Sequence, residues 1–537
     1  MNNRTFNALK YMFIIVIGGF VFGVDAGIIS GTVKFIRAEF MLSDLEVGTV
    51  VSAPALGAVI ALLFSSKLVD YLGRKKMMIL IALFYLVSAI SSTFAPNYAT
   101  LVLARMLGGM AFCSLSITSM YVGETAPSKL RGKLVSMNQV MIGVGFFIAY
   151  LINYILILQV SDNSFFFSQE NVWRTMLGSE IPAVLVWIGL LTLIPESPRW
   201  LMIKGKNREA QKVIELMNPA DEVESVISEI QENITKTDCN TPLKQQFKTL
   251  FSRKMKLVLI IGVGLAVVQS FSGMGAISYY APTIFEQVGL GEKNAFLQTA
   301  LLGFISIIFS LIAVGLVDRL GRKFILVIGL LVISACHLTI SYGFNNATYS
   351  ITEENIAKIE KVVDTTPLQA SLGTVFHSDI EFKQQLREYY SERDVHLYEG
   401  AMIKAFVTIN PIMIIIAIFA FKAAFFFSIG PVMWVVFSEI TPNAIRSVAI
   451  PAFALIASLM AFFVQRFFPW QLATFGASDT FLLYAISSGL GVLLVIFILP
   501  ETKNKSLEQI EAILVGEDLI PQVSDLDLGE MSKGSVK

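Results

Sequence analysis

Apolar stretches of about 20 residues recur along most of this chain. Each is long enough to cross roughly 30 Å of hydrocarbon as a helix rising about 1.5 Å per residue. Twelve are legible, at 11–31, 47–65, 77–94, 99–121, 134–158, 175–194, 257–280, 295–317, 324–342, 411–434, 448–468 and 480–499. Lipid offers no partner to an unpaired backbone amide, so such stretches span as helices. Composition agrees: the 537 residues are 55% hydrophobic and only 15% charged, with a mean hydropathy of +0.67, outside the range of soluble globular chains. The expected fold is an all-α membrane protein of twelve transmembrane helices.

The formal net charge is zero, but the charges are unevenly placed. Lys67, Arg74, Lys75 and Lys76 follow the second stretch, Lys129, Arg131 and Lys133 the fourth, and Arg319, Arg322 and Lys323 the eighth. Loops of this kind face the cytoplasm. The alternate connections at 95–98 and 468–475 carry no Lys or Arg, which places both termini inside. A cleaved signal peptide is not expected, because the first apolar stretch is too long, contains Asp25 and is followed by no small-residue cleavage site. Cys113 and Cys336 fall inside spans, Cys239 falls in a polar stretch, and His337, His377 and His396 have no ligand spacing, so metal or redox chemistry is not expected. No Gly-x-x-x-x-Gly-Lys-Ser/Thr loop is present for ATP-driven pumping.

Three signatures occur once in each half of the chain, in the same order. Leu68-Val69-Asp70-Tyr71-Leu72-Gly73-Arg74-Lys75 is echoed by Leu316-Val317-Asp318-Arg319-Leu320-Gly321-Arg322-Lys323. Glu124-x-x-Pro127-x-x-x-Arg131 is echoed by Glu439-x-x-Pro442-x-x-x-Arg446, and Pro195-Glu196-Ser197-Pro198-Arg199 by Pro500-Glu501-Thr502-Lys503. A duplicated bundle is the simplest account. It divides the chain into a first bundle at 1–198, a polar helical linker at 199–253, and a second bundle at 254–515, followed by a polar tail at 516–537. An insertion at about 345–403 interrupts the second bundle on the outer face, with Ile356, Ile359, Val362 and Val363 spaced for an amphipathic helix. It reads as a solvated cap or as a gating lid.

These signatures, together with Gly18-Gly19-Phe20-Val21-Phe22-Gly23-Val24-Asp25-Ala26-Gly27-Ile28-Ile29-Ser30-Gly31, resemble the sugar porter branch of the major facilitator superfamily over about 400 residues. The resemblance implies two pseudo-symmetric six-helix bundles rocking about a central solute site. Asp70, Arg74, Glu124, Arg131, Glu196 and Arg199 in one half, and Asp318, Arg322, Glu439, Arg446 and Glu501 in the other, are expected to form a cytoplasmic gate. Charges there could bridge the bundles when the inner side is shut, or simply orient and cap helices; exposed pairs contribute up to about 1 kcal/mol each, so they are breakable. Ser66 and Tyr71 replace the family's usual Gly and Arg, which are present in the second copy as Gly315 and Arg319, so the first latch is expected to be looser.

Asp25 lies in mid-membrane, where an ionised carboxylate is costly unless paired, and Arg105 in the fourth span is its natural partner. In the resembling proton-coupled porters an Asp and an Arg at these positions form the proton site, whereas a purely structural pair is the alternative. A sugar site needs hydroxyl partners and flat apolar faces. Gln139, Gln269, Tyr279, Tyr280 and Trp434 match family positions, and Phe22 and Phe425 could supply faces. Several family contacts are missing: Ser270, Gly275, Ser306, Ala457 and Ser458 stand where amides, an Asn or a Trp are usual. The expected function is secondary transport of a hexose or pentose by alternating access, with a proton as coupling ion and no other cofactor. An uncoupled facilitator, a carrier of a polyol such as inositol, and a sugar sensor are the alternatives. The expected partners are the solute and the bilayer, without nucleic acid. A monomer in a bacterial inner membrane is expected, a eukaryotic plasma membrane being the alternative.

Overall fold

A computed structural model describes residues 3–125, 128–161, 165–218, 222–237, 243–360, 362–442, 445–503, 505 and 507–515. Cys239, Pro127 and the 516–537 tail lie outside them, as do the side chains of Arg131 and Asp318. Eleven described helices are long and apolar enough to cross a membrane. The last, Arg446–Phe497, is broken at Gly476 (φ 77°) and makes two crossings, which gives twelve. The turn expected at 468–475 is therefore helical. It carries no charge, and Trp470 packs edge-on against Phe467 and Phe475, which keeps the helix going until a glycine can reverse it.

The first half comprises spans Asn3–Phe40, Asp44–Leu72, Arg74–Thr93, Tyr98–Met110 continuing to Thr125, Ser128–Leu158 and Val172–Leu191. Its first and fifth spans pack through small residues. Gly19, Gly23, Gly27 and Gly31, four apart on one face, meet Asn138, Ile142, Phe146 and Asn153, and a Cβ at any of them would crowd the partner helix. Close backbone approach of this kind replaces the hydrophobic drive that is absent in lipid.

In the second half the seventh span is interrupted between Ser270 and Met274, with Gly273 left-handed (φ 82°), and the tenth is interrupted at Ser428 (φ −120°, ψ −100°). Such breaks free backbone groups in mid-membrane and are tolerated only where protein or water meets them. Here His337 Nε2 sits 2.7 Å from the Ser272 carbonyl, and Ser428 Oγ donates to the Ala424 carbonyl at 2.6 Å.

The halves meet tightly on the face that carries the insertion. The second and eleventh spans are so close that Gly48 lies against the Arg466 backbone, and Lys34 reaches from the first span to Glu292 at 2.8 Å and Glu286 at 3.8 Å. Deeper in, the fifth and eighth spans meet at Phe147 and Phe304, whose rings are 5.7 Å apart. The insertion has its own core around Tyr349, Ile356, Phe382, Leu386 and Phe406. It holds a three-stranded antiparallel sheet of β1 (Thr348–Ser350), β2 (Val375–Phe376) and β3 (Val407–Thr408) in the order β2-β1-β3, so it runs past residue 403. The expected amphipathic helix is only Glu353–Ala357. Ile356 and Ile359 are buried, but Val362 is 44% exposed, because pairing of β1 with β2 and β3 takes over the role of a longer helix.

Candidate transport site

Arg105 donates from Nη1 to Asp25 Oδ1 at 2.6 Å, and each side chain is only 2% exposed. A guanidinium and a carboxylate in a site this dry can persist only as a pair, since removing one strands the other's charge. Sequence reading found this pair but missed a third member. Glu180, on the sixth span, is 2% exposed and lies within electrostatic range of both Asp25 and Arg105. Asp25 Oδ2 and Glu180 Oε1 are both buried without a hydrogen-bond partner among the described residues. The signal was available: Glu180 is an acidic residue in the middle of an apolar stretch, the same cue that singles out Asp25.

The amides expected to contact solute are half-buried, and neither Gln139 nor Gln269 makes a side-chain hydrogen bond to any described residue. An amide inside a membrane protein that is left without a protein partner, yet not sealed, is free to bind something polar. Phe22 packs edge-on against Phe112 at 4.4 Å and, with Tyr279, borders a buried cluster formed by Ala26, Ile142, Phe146, Tyr150 and Ala300. Trp434 is 45% exposed and set against Phe437. Tyr280 is engaged elsewhere: its hydroxyl donates to the Gln465 carbonyl at 3.0 Å and its ring packs 5.0 Å from Phe468. Phe425 is buried between Phe421 and Phe426.

The signature loops form two matching charge clusters on the face opposite the insertion. Gly73 and Gly321 adopt φ of 87° and 92°, turning the chain sharply into the third and ninth spans. Glu196 then accepts from the backbone amides of Arg74 (2.8 Å), Lys75 (3.1 Å) and Ser197 (2.8 Å), placing a carboxylate at a helix N-terminus where the dipole favours it. Glu124 bonds the Arg74 guanidinium at 2.8 Å and the Ser197 hydroxyl at 2.6 Å, and the more exposed Asp70 stands 3.8 Å from Arg74. In the second half Glu501 accepts from the amides of Arg322 and Lys323 at 3.2 Å, and Glu439 bonds Arg322 at 3.0 Å and Thr502 at 2.6 Å. Arg446 turns to the carbonyls of Ser438 and Thr441, and Arg199 makes no described ion pair. The hydrogen bonds and ion pairs described above for these residues stay within their own half. Tyr71 is 77% exposed, and in the first cluster Arg74 Nε and Nη1 are buried without a hydrogen-bond partner among the described residues.

The chain matches the Sugar (and other) transporter family over residues 11–363 and 398–514. It is 32% identical to the arabinose-proton symporter of Bacillus subtilis over 503 residues, 93% of each chain. It is also 32% identical to the galactose-proton symporter of Escherichia coli K12 over 509 residues, 94% of this chain and 93% of that one. Among solved structures, the proton:xylose symporter bound to 6-bromo-6-deoxy-D-glucose superposes with a TM-score of 0.68 at 26% identity, covering 95% of this chain and all of that one. The inward-open xylose transporter of E. coli superposes at 0.71 with 24% identity over 94% and 99% of the two chains, a likeness of fold. With the fold, the duplicated loop clusters and the buried Asp–Arg pair in place, the chain belongs to the sugar transporter family, as a sugar porter of the major facilitator superfamily.

Proposed function

We propose that the protein carries a sugar across the membrane together with a proton, by alternating access. The reading rests on the arithmetic of the buried cluster. Two carboxylates, Asp25 and Glu180, share one guanidinium, so full ionisation would leave an unbalanced negative charge in a dry site. One carboxyl is held protonated, and that proton is exchangeable if either face opens to water. The Lys- and Arg-rich signature loops face the cytoplasm, so the described conformation is sealed on the outside. Once that proton has left to the inside the cluster carries a net negative charge, a proton entering from outside restores its neutrality, and solute binding at Gln139 and Gln269 completes the condition for rocking. The symport activities of the arabinose and galactose relatives support this reading. A hexose or pentose in a bacterial plasma membrane is the leading solute and setting.

Counterflow in proteoliposomes with a panel of sugars and polyols, with and without an imposed pH gradient, tests it. Wild type should exchange at least one sugar and accumulate it when the inward gradient is applied. Asp25→Asn should still exchange but not accumulate. Equal accumulation by Asp25→Asn removes the cluster from coupling, and exchange of none of the panel removes the sugar assignment.

A further inference from the structure

Lys422 lies in the tenth span and is fully buried. Its Nζ donates to Ser278 Oγ at 2.6 Å and stands 5.4 Å from the ring centroids of Phe146 and Phe426. No ion pair among the described residues includes it. A hydroxyl and two ring faces are partial compensation for an ammonium taken out of water, and an intramembrane cation is strongly unfavourable unless an anion comes to it.

Its position says where that anion would come from. Ser278 and Phe426 belong to the second half and Phe146 to the first, and Tyr150 of the first half donates its hydroxyl to the Ser278 carbonyl at 2.7 Å. Lys422 thus sits on the seam between the bundles. Phe146 and Tyr150 are core members of the same cluster that Phe22 and Tyr279 border, one layer from the groups assigned above to the solute. When the halves part on the insertion face, Phe146 and Tyr150 withdraw with the fifth span, whereas Ser278 and Lys422 stay together and become uncovered.

Apart from Gln269, the other positions of the second half singled out from the sequence have little to offer a neutral sugar. Ser270 Oγ is spent on the carbonyls of Ala266 and Ala457, Ser306 Oγ on that of Leu302, and Gly275 has no side chain. Hydroxyl-binding capacity has been lost on the side of the seam where a cation has been added.

We infer that Lys422 is a specificity-determining residue and that the solute is a sugar acid, whose carboxylate supplies the counter-ion that the protein withholds. The inference rests on the sugar-transport reading given above. One solute carboxylate entering with one proton carries no net charge, so the cycle moves no current, whereas a neutral sugar moving with a proton would.

The test compares a hexuronate such as glucuronate with its parent hexose in counterflow, in wild type, Lys422→Met and Lys422→Arg. Wild type should favour the uronate at least tenfold, and its uptake should be insensitive to membrane potential. Lys422→Met should lower the uronate-to-hexose ratio by tenfold or more, and Lys422→Arg should retain most of it. Should Lys422→Met fail to fold, the wild-type preference and its voltage dependence decide the matter alone. Hexose exchange with no uronate preference overturns this inference and leaves sugar transport standing. Exchange of neither compound overturns both.

Discussion

Replacing Lys34 with Met should open the insertion face. Lys34 is the described cation that joins the first span to the ends of the seventh and eighth, at 3.8 Å from Glu286 and 2.8 Å from Glu292, with side-chain exposures of 20%, 11% and 28%. At an effective dielectric of about 20 these contacts are each worth about 4 to 6 kcal/mol before drying costs. Partial exposure, salt and the entropy of holding long side chains reduce the net to about 2 kcal/mol. This is a roughly 30-fold change in the ratio of closed to open states, since about 1.4 kcal/mol is tenfold. Glu286 Oε1, buried and already without a hydrogen bond, loses its cation in the variant, and Glu286→Gln added to Lys34→Met should recover part of the effect. Nitroxide labels at Leu45→Cys and Trp470→Cys, both exposed at the insertion-face ends of the second and eleventh spans, report the separation by double electron–electron resonance, with Cys239 replaced by Ser. A new, longer distance peak in Lys34→Met is expected. An unchanged distribution would refute the view that these pairs hold the face shut.

Gly109→Ala should destabilise the first half by about 1–3 kcal/mol, because the new methyl meets the Pro54 backbone of the second span, and thermal unfolding in detergent measures it. Gln269→Ala should raise the KM for exchange tenfold or more by removing a solute partner, whereas Tyr280→Phe, which loses only the bond to the Gln465 carbonyl, should lower thermal stability and leave KM near wild type. In the insertion, burial pushes the Glu399 carboxyl up, but Lys383 at 3.0 Å and Arg37 more than offset this and hold it below its ordinary 4.5. A carboxyl depressed on folding stabilises the fold above its unfolded value and loses that contribution as pH falls through the lower folded value. Amide protection over 348–408, taken relative to the intrinsic exchange rate at each pH, should therefore be constant above the ordinary carboxylate range and fall as pH drops below it, and Lys383→Met should weaken that dependence.

The twelve spans and their duplication were legible because length, hydropathy and the repeated loop motifs are local properties of the chain. What stayed hidden depends on tertiary contacts. The 468–475 segment reads as a charge-free loop, yet it is helical, with Trp470 edge-on against Phe467 and Phe475. Tyr280 reads as a solute contact, but a helix break turns its hydroxyl to Gln465. The gate charges can be counted along the chain, yet their pairing within each half rather than across it follows from the positive-φ turns at Gly73 and Gly321, which aim two helix N-termini at Glu196 and Glu501. Glu180 and Lys422 were visible as charges in apolar stretches, but burial, with Glu180 sharing one guanidinium and Lys422 in no described ion pair, is what distinguishes them from residues at helix ends.

The central claim is that the Asp25–Arg105–Glu180 cluster gives up and regains one proton for each solute carried. Proton flux driven by a solute gradient, recorded with a pH-sensitive dye trapped in proteoliposomes, tests it without relying on accumulation. One proton should enter per solute in wild type and none in Asp25→Asn, although the variant still exchanges solute. A wild-type protein that moves solute down its gradient with no pH change inside would contradict it.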